Sequence, residues 1–338
     1  MKTISKLAVV AITATAALAL AGNALAVQKL SVSQTATSLT IKISQAQTDA
    51  QPARISIYVP TGYSLNTSQG PGTVIGTTSG SVFARDANIP LPLSGDVVVA
   101  PPNTDAAPCF TGTHTAVWLL RLQVAGQQIQ LPIAVDQTSG TAGALGSYQL
   151  VTCLAPSDVP QGTPGRSPNG AQLLEAVFTV NNIFTVPAGT SIWKTLTTPY
   201  TPATGVPNAA GTVETRSIVG TGAISIGKKI TSLKKRMLRL SGKVSQAGAA
   251  VAGTQVTLLL NGKASTKLKA RTNTVGNYTI NLRKTGKKST TTFQARVTVA
   301  ERDVTSTGCA SPSVPPVPCV SATASGFTAL SAKIKVRL

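Results

Sequence analysis

The sequence predicts an all-β protein built as two β-sandwich domains, and three observations carry that reading. Apolar residues recur at spacing two rather than at helical spacing. The chain holds 29 Gly and 21 Pro, so helical candidates soon meet a breaker, whereas short strands separated by turns are served by both residues. Composition also changes abruptly near Gly227, which divides a chain too long for the usual single sandwich.

Residues 1–26 read as a secretory signal. Lys2 and Lys6 supply positive charge, Leu7 to Ala21 form an apolar run, and Ala24-Leu25-Ala26 gives the small-x-small cleavage pattern, so the exported chain is expected to begin at Val27. The run is shorter than the roughly 20 residues of a spanning helix. No cysteine lies just after the cleavage site, and LPLSG at 91–95 has no apolar tail behind it, so no lipid or sortase anchor and no transmembrane segment in the mature chain is expected. The expected location is secreted, extracellular or envelope-associated, in a bacterium.

Residues 27–226 form the first expected domain. Alternation marks strands at LTIKIS (39–44), ARISIYV (53–59), AVWLLRLQV (116–124), QIQLPIAV (128–135), YQLVTCL (148–154), AVFTV (176–180) and TSIWKTL (190–196). NGAQLLEAV (169–177) is the best helical candidate. The Pro/Gly-rich stretches 155–171 and 198–211 read as long loops, and TRSIVGTGAISI as the closing strand. Four cysteines in an exported chain suggest two disulfides. Cys109–Cys153 and Cys309–Cys319 are favoured because each keeps within one domain. On the chain-entropy model they contribute about 4 and about 2.7 kcal/mol.

The formal net charge of +20 is unevenly placed. Residues 27–226 carry eight Lys/Arg and eight Asp/Glu; residues 227–338, the second expected domain, carry 20 basic and 2 acidic residues. In strand register the cations share faces. Arg239 and Lys243 lie opposite Leu238, Leu240 and Val244; Lys267, Lys269 and Arg271 lie opposite Leu268 and Ala270; Lys333, Lys335 and Arg337 lie opposite Ile334 and Val336. Lys234, Lys235 and Arg236 precede the first of these strands, and RKTGKK (283–288), with Lys287 and Lys288, reads as a basic hairpin turn. A few outward lysines keep a β-sheet edge from aggregating. This excess goes past that need and points to a polyanion: wall teichoic acid, lipopolysaccharide phosphate, acidic polysaccharide, anionic lipid or extracellular DNA. The expected contacts are Lys234, Lys235, Arg236, Arg239, Lys267, Lys269, Arg271, Lys287 and Lys288, acting as a field rather than a pocket. Sequence-specific nucleic-acid reading is not expected, because Tyr278, Phe293 and Phe327 are the only aromatics there and Tyr278 and Phe293 fall on apolar faces.

LRLSGKVSQAGAAVAGTQVTLLLNGK (238–263) followed by ARTNTVGNYTINL (270–282) resembles the immunoglobulin-like and carboxypeptidase-regulatory-like modules of secreted bacterial proteins. Gly242 and Val244, Val256 and Leu258, and Thr272, Asn273, Gly276 and Tyr278 occupy the positions that carry the resemblance. It covers about a fifth of the chain and implies an immunoglobulin-like sandwich acting as a spacer, stalk or adhesive unit, with no activity specified. The load of Lys and Arg departs from it.

Chemistry is sparse. His114 is the sole histidine and no G-x-S-x-G occurs, so a Ser–His–acid hydrolase lacks its parts. The acids of the first domain are well separated, no calcium-loop pattern occurs, and no C-x-x-C is present. No enzyme, cofactor or metal is expected. Trp118 and Trp193 read as core residues, and Tyr63 and Tyr200 as exposed candidates for stacking on sugars. The sequence therefore points to an exported, non-catalytic protein whose basic domain attaches to anionic surface polymers. A carbohydrate-binding module and a passive spacer are the alternatives.

Overall fold

A computed structural model describes residues 28–283, 289–304, 309 and 317–337. The signal segment, Lys287, Lys288 and most of the 309–319 loop lie outside these residues. The first strands are β1 (Lys29–Gln34), β2 (Ser38–Ser44), β3 (Pro52–Val59) and β4 (Ser64–Leu65). Next come the long β5 (Val74–Ala84) and β6 (Ile89–Ala100), then β7 (Ala116–Val124), β8 (Gln127–Gln137) and β9 (Tyr148–Cys153). β10 (Ala171–Asn181), β11 (Phe184–Thr185), β12 (Ser191–Pro199) and β13 (Val213–Val219) follow.

Hydrogen bonds run in the order β1-β2-β10-β5-β6-β7-β8-β9-β3-β12-β13, antiparallel throughout. This one long sheet wraps round a single apolar core, and its two ends meet: the Val32 N–H of β1 donates to Ser217 Oγ of β13 at 2.9 Å. Alternation dictates which residues turn inward. In β2, Leu39, Ile41 and Ile43 are buried while the intervening residues are half-exposed. One end of the interior is closed by an edge-to-face cluster of Tyr63, Trp118, Phe184 and Trp193.

Of the best helical candidate, 169–177, only a short 3-10 turn at Pro168–Gly170 is helical, and residues 171–177 are strand. β10 pairs with β2 on one side and β5 on the other, so two ladders of hydrogen bonds and buried partners outweigh the helical propensity of QLLEA. β5 and β6 have no counterpart among the strands read from sequence, because VIGTTSGSVFA and IPLPLSGDVVVA are broken by Gly, Ser, Thr and Pro. The glycines serve the bend. A Cβ on Gly95 would lie 1.8 Å from the Arg121 carbonyl oxygen, and one on Gly80 2.0 Å from that of Glu175. Only glycine lets the strands curl so closely.

The remaining strands begin with β14 (Gly222–Ile224), β15 (Gly227–Ser232), β16 (Met237–Gln246), β17 (Ala249–Ala250) and β18 (Gln255–Leu260). They continue with β19 (Lys263–Arg271), β20 (Asn277–Arg283), β21 (Thr290–Val299) and β22 (Arg302–Asp303). β23 (Cys319–Ala324), β24 (Phe327–Leu330) and β25 (Ile334–Arg337) are the last. One layer forms around β16, with β14 and β15 on one side and β20 on the other; the second is β19-β18-β21 with β24 and β25 beyond. Between them lies a second core that includes Leu238, Leu240, Val256, Leu258, Tyr278, Phe293 and Val297. The whole is all-β, and its C-terminal part is a two-layer sandwich. Gly276 (φ +77°) turns the chain into β20, and Asn273 Oδ1 accepts the Val275 and Asn277 N–H groups in that turn.

The chain does not keep to one side of position 227. β23 returns to the first sheet, parallel to β13, and β22 pairs with β23. The backbone therefore passes between the two cores at 219–222, 299–302 and 324–327. Thr323 Oγ1 donates to the Leu30 carbonyl at 2.6 Å, so β23 also secures the seam where β1 meets β13.

Candidate functional site

Antiparallel register places the expected cations on two opposite outer faces. On the β16 layer, Lys229 of β15 stands across from Arg239, which faces Asn281 of β20; Lys243 and Arg283 are exposed on the same layer. Arg239 Nε donates to Asn281 Oδ1 at 3.2 Å. Lys234 and Lys235 are exposed at the β15–β16 turn, and Arg236, half-buried there, adopts a left-handed φ of 51°. On the β18 layer, Lys269, Thr257 and Arg296 form one cross-strand row, with Arg271 beside it opposite Gln255. Lys267 is exposed two residues before Lys269 on the same edge strand. Lys335 and Arg337 pair with Thr292 and Thr290 at the far end of this layer.

The expected field is thus divided: Arg239 lies on one face, and Lys267, Lys269 and Arg271 on the other. The sequence-based set leaves out Lys229, Arg283 and Arg296. The alternation of FQARVTV, with Phe293, Ala295, Val297 and Val299 buried, was the available signal for Arg296.

Carboxylates explain why this charge stays uncompensated. Glu301 and Asp303 are the only acids after residue 226. Both point to the first half: Asp303 pairs with Lys29 at 2.8 Å, and Glu301 approaches Lys42 at 3.7 Å and accepts from Ser31 Oγ. Arg236 aside, the described cations of the sandwich meet neutral acceptors where they meet any. Lys228 Nζ donates to the Lys335 carbonyl at 2.9 Å and Arg271 Nη1 to that of Gly253 at 3.1 Å.

Seven of the eight acids of the first half, all but Glu175, are engaged structurally. Asp49, Asp105 and Asp158 accept backbone N–H groups of Ala46, Gly112 and Ala203. Asp86 receives two hydrogen bonds from Arg166, at 2.6 and 2.9 Å, which hold its carboxyl below the usual range. Asp96 pairs with Arg121, and Glu214 with Arg216 in full burial. His114 Nδ1 lies 2.7 Å from Asp136 Oδ2, and its buried Nε2 meets no hydrogen-bond partner among the described residues, so no hydroxyl stands where a nucleophile would.

The aromatics do not form a sugar platform. Trp118 and Trp193 are buried, and so is Tyr63, contrary to the expectation of exposure: its hydroxyl donates to Gln34 and accepts from Trp193 Nε1 at 3.2 Å. A buried phenol costs little once its hydroxyl is satisfied. Tyr200 is half-buried and donates to the Leu154 carbonyl at 2.7 Å.

A second feature lies in the first half. The interior is hollow at the end away from the aromatic cluster, forming a cavity of about 790 Å³. Its wall reads along cross-strand rows such as Ile43–Ala176–Gly80–Leu93 and Phe178–Thr78–Gly95–Leu122. Ala176 and Thr78, the small side chains of these rows, line the space. Its mouth is framed by two fastened loops. The Cys109–Cys153 disulfide ties one to β9, and Arg166, through Asp86 and the Val159 carbonyl at 2.7 Å, holds the other. The second disulfide joins Cys309 and Cys319.

Among the described residues no helix is long and apolar enough to cross a membrane, and no cluster of three or more His, Cys, Asp or Glu is placed to hold a metal ion. No protein-family model matches the chain, and no curated protein matches it in sequence. Among solved structures, the D00-D0 domain of Intimin is similar at 12% identity over 66% of this chain and 96% of that chain, with a TM-score of 0.19, a likeness too loose to carry an argument.

Proposed function

We propose that this is an exported, non-catalytic protein whose basic C-terminal sandwich holds it to anionic surface polymers, while the first half serves as a structural or recognition module. The observation that supports this reading is the placement of charge. Both outer faces of the sandwich carry cations, and the only two carboxylates of that half are spent on lysines of the other. Cations on opposite faces suit a flexible chain that wraps the module or a mesh that surrounds it better than one flat docking surface. Attraction of this kind acts at long range and is screened by salt.

Binding of the full chain to dextran sulfate, with neutral dextran as control, tests this. Affinity is expected to fall steeply with salt. Glutamate at Lys267, Lys269 and Arg271, or at Lys229, Arg239 and Lys243, is expected to weaken binding and flatten the salt dependence, the six together abolishing it. Binding that ignores both salt and the six reversals overturns the proposal.

A further inference from the structure

The hollow in the first half is a built site for which the polyanion reading has no use. We infer that it takes an uncharged, mainly aliphatic small molecule with one or two oxygen functions, of the type of a monoacyl ester. Three observations carry this. Protein interiors are packed like organic crystals, with few voids larger than a water molecule, so about 790 Å³ is far beyond a packing defect and within the range of pockets for small ligands. Among the described residues no Asp, Glu, Lys, Arg or His lines the space, and Phe178 and Tyr200 are the only aromatics that do. A charged ligand entering it would lose water and gain no counter-charge, whereas an aliphatic guest suits a mainly apolar lining.

The third observation concerns two hydroxyls. Thr78 and Ser167, 4% and 7% exposed, both line the cavity, and neither Oγ has a hydrogen-bond partner among the described residues. An unpaired buried hydroxyl is costly, and most are satisfied. Each oxygen is turned away from the open space, and rotation of its side chain about χ1 would bring it to an ester or alcohol oxygen of a guest. Thr78 sits in the wall, paired with Gly95 of the neighbouring strand; Ser167 belongs to the loop at the mouth that Arg166 fastens. A molecule with an apolar body in the hollow and its oxygens toward these hydroxyls fits both.

The test uses the full chain, purified with its disulfides intact, titrated with glycerol monolaurate and followed by native mass spectrometry. One molecule per chain is expected to bind, and laurate at pH 8 at least about 10-fold more weakly, because its carboxylate would be buried unpaired. Ala176→Phe, which sets a ring into the hollow against its wall, is expected to weaken binding at least about 10-fold in a chain that still melts cooperatively. Thr78→Val with Ser167→Ala preserves shape and removes the hydroxyls, and is expected to weaken binding by about 5- to 10-fold. Should Ala176→Phe fail to fold, this double variant carries the test. Phosphatidylcholine vesicles loaded with glycerol monolaurate separate the sources: transfer from vesicle to protein marks a ligand drawn from a lipid surface, and uptake only of free monolaurate a dissolved one. No bound monolaurate in the folded chain, equal binding of laurate, or binding unchanged in Ala176→Phe or in the hydroxyl-less variant overturns the inference. So does adsorption to vesicles that Ala176→Phe leaves intact.

Discussion

Glu214 and Arg216 sit two residues apart on one face of β13, both shut away from water and paired to each other. A charge in such a place is tolerated only with its partner, and removing one leaves the other desolvated. Glu214→Ala is expected to destabilise the protein by about 3–5 kcal/mol, and replacing both by methionine by much less; urea-unfolding midpoints measure the difference. Asp86 behaves differently because it lies nearer the surface. Arg166 depresses its pKa, so its contribution is fully present above the unfolded carboxyl value of about 3.9 and is lost as pH falls through the lower folded value. Hydrogen exchange in the 156–170 loop is therefore expected to quicken below that pH in the parent chain, and to be fast and pH-insensitive, apart from the intrinsic rate, in Asp86→Asn. Single side chains of this kind were only partly legible. Trp118 and Trp193 were read as core from their apolar surroundings. Tyr63 was not, because its neighbour Gly62 signals a turn and nothing local shows that Gln34 and Trp193 wait to satisfy its hydroxyl.

At the scale of elements, β2, β3, β7, β8, β9 and β12 were legible because alternation of apolar and polar residues is the direct imprint of a sheet with one buried face. β5 and β6 were not, since their glycines answer to the close approach of neighbouring strands, a tertiary demand with no local period. Thr78 and Val82 of β5 and Leu91 and Leu93 of β6 line the cavity, so strands hidden from sequence are also walls of the hidden site. In the sandwich, Gly276 is the comparable point: a Cβ there would stand 2.5 Å from the Val244 carbonyl at a φ that side chains resist. Gly276→Val is expected to cost about 1–3 kcal/mol, read as a lowered melting temperature.

At the scale of the molecule, β22 and β23 decide how the halves behave. β23 closes the edge of β13, and Asp303 and Glu301 fasten the same region to Lys29 and Lys42. A chain ending at residue 226 would expose that edge and is expected to aggregate, while the full chain is expected to unfold with the two halves coupled; size-exclusion chromatography and calorimetry show both. The charge contrast near residue 227 was plain in the sequence. The return of β23 was not, because parallel pairing at long range leaves no local mark.

The central claim is that the sandwich holds the protein to an anionic surface by charge. Fractionation of expressing cells, with stepwise sodium chloride washes of the envelope, tests it most directly. The account predicts that the intact protein stays with the envelope at low salt and is released as the screening length shrinks from about 10 Å at 0.1 M toward about 3 Å at 1 M. Its appearance in the medium without added salt, or its retention through 1 M, would contradict the account.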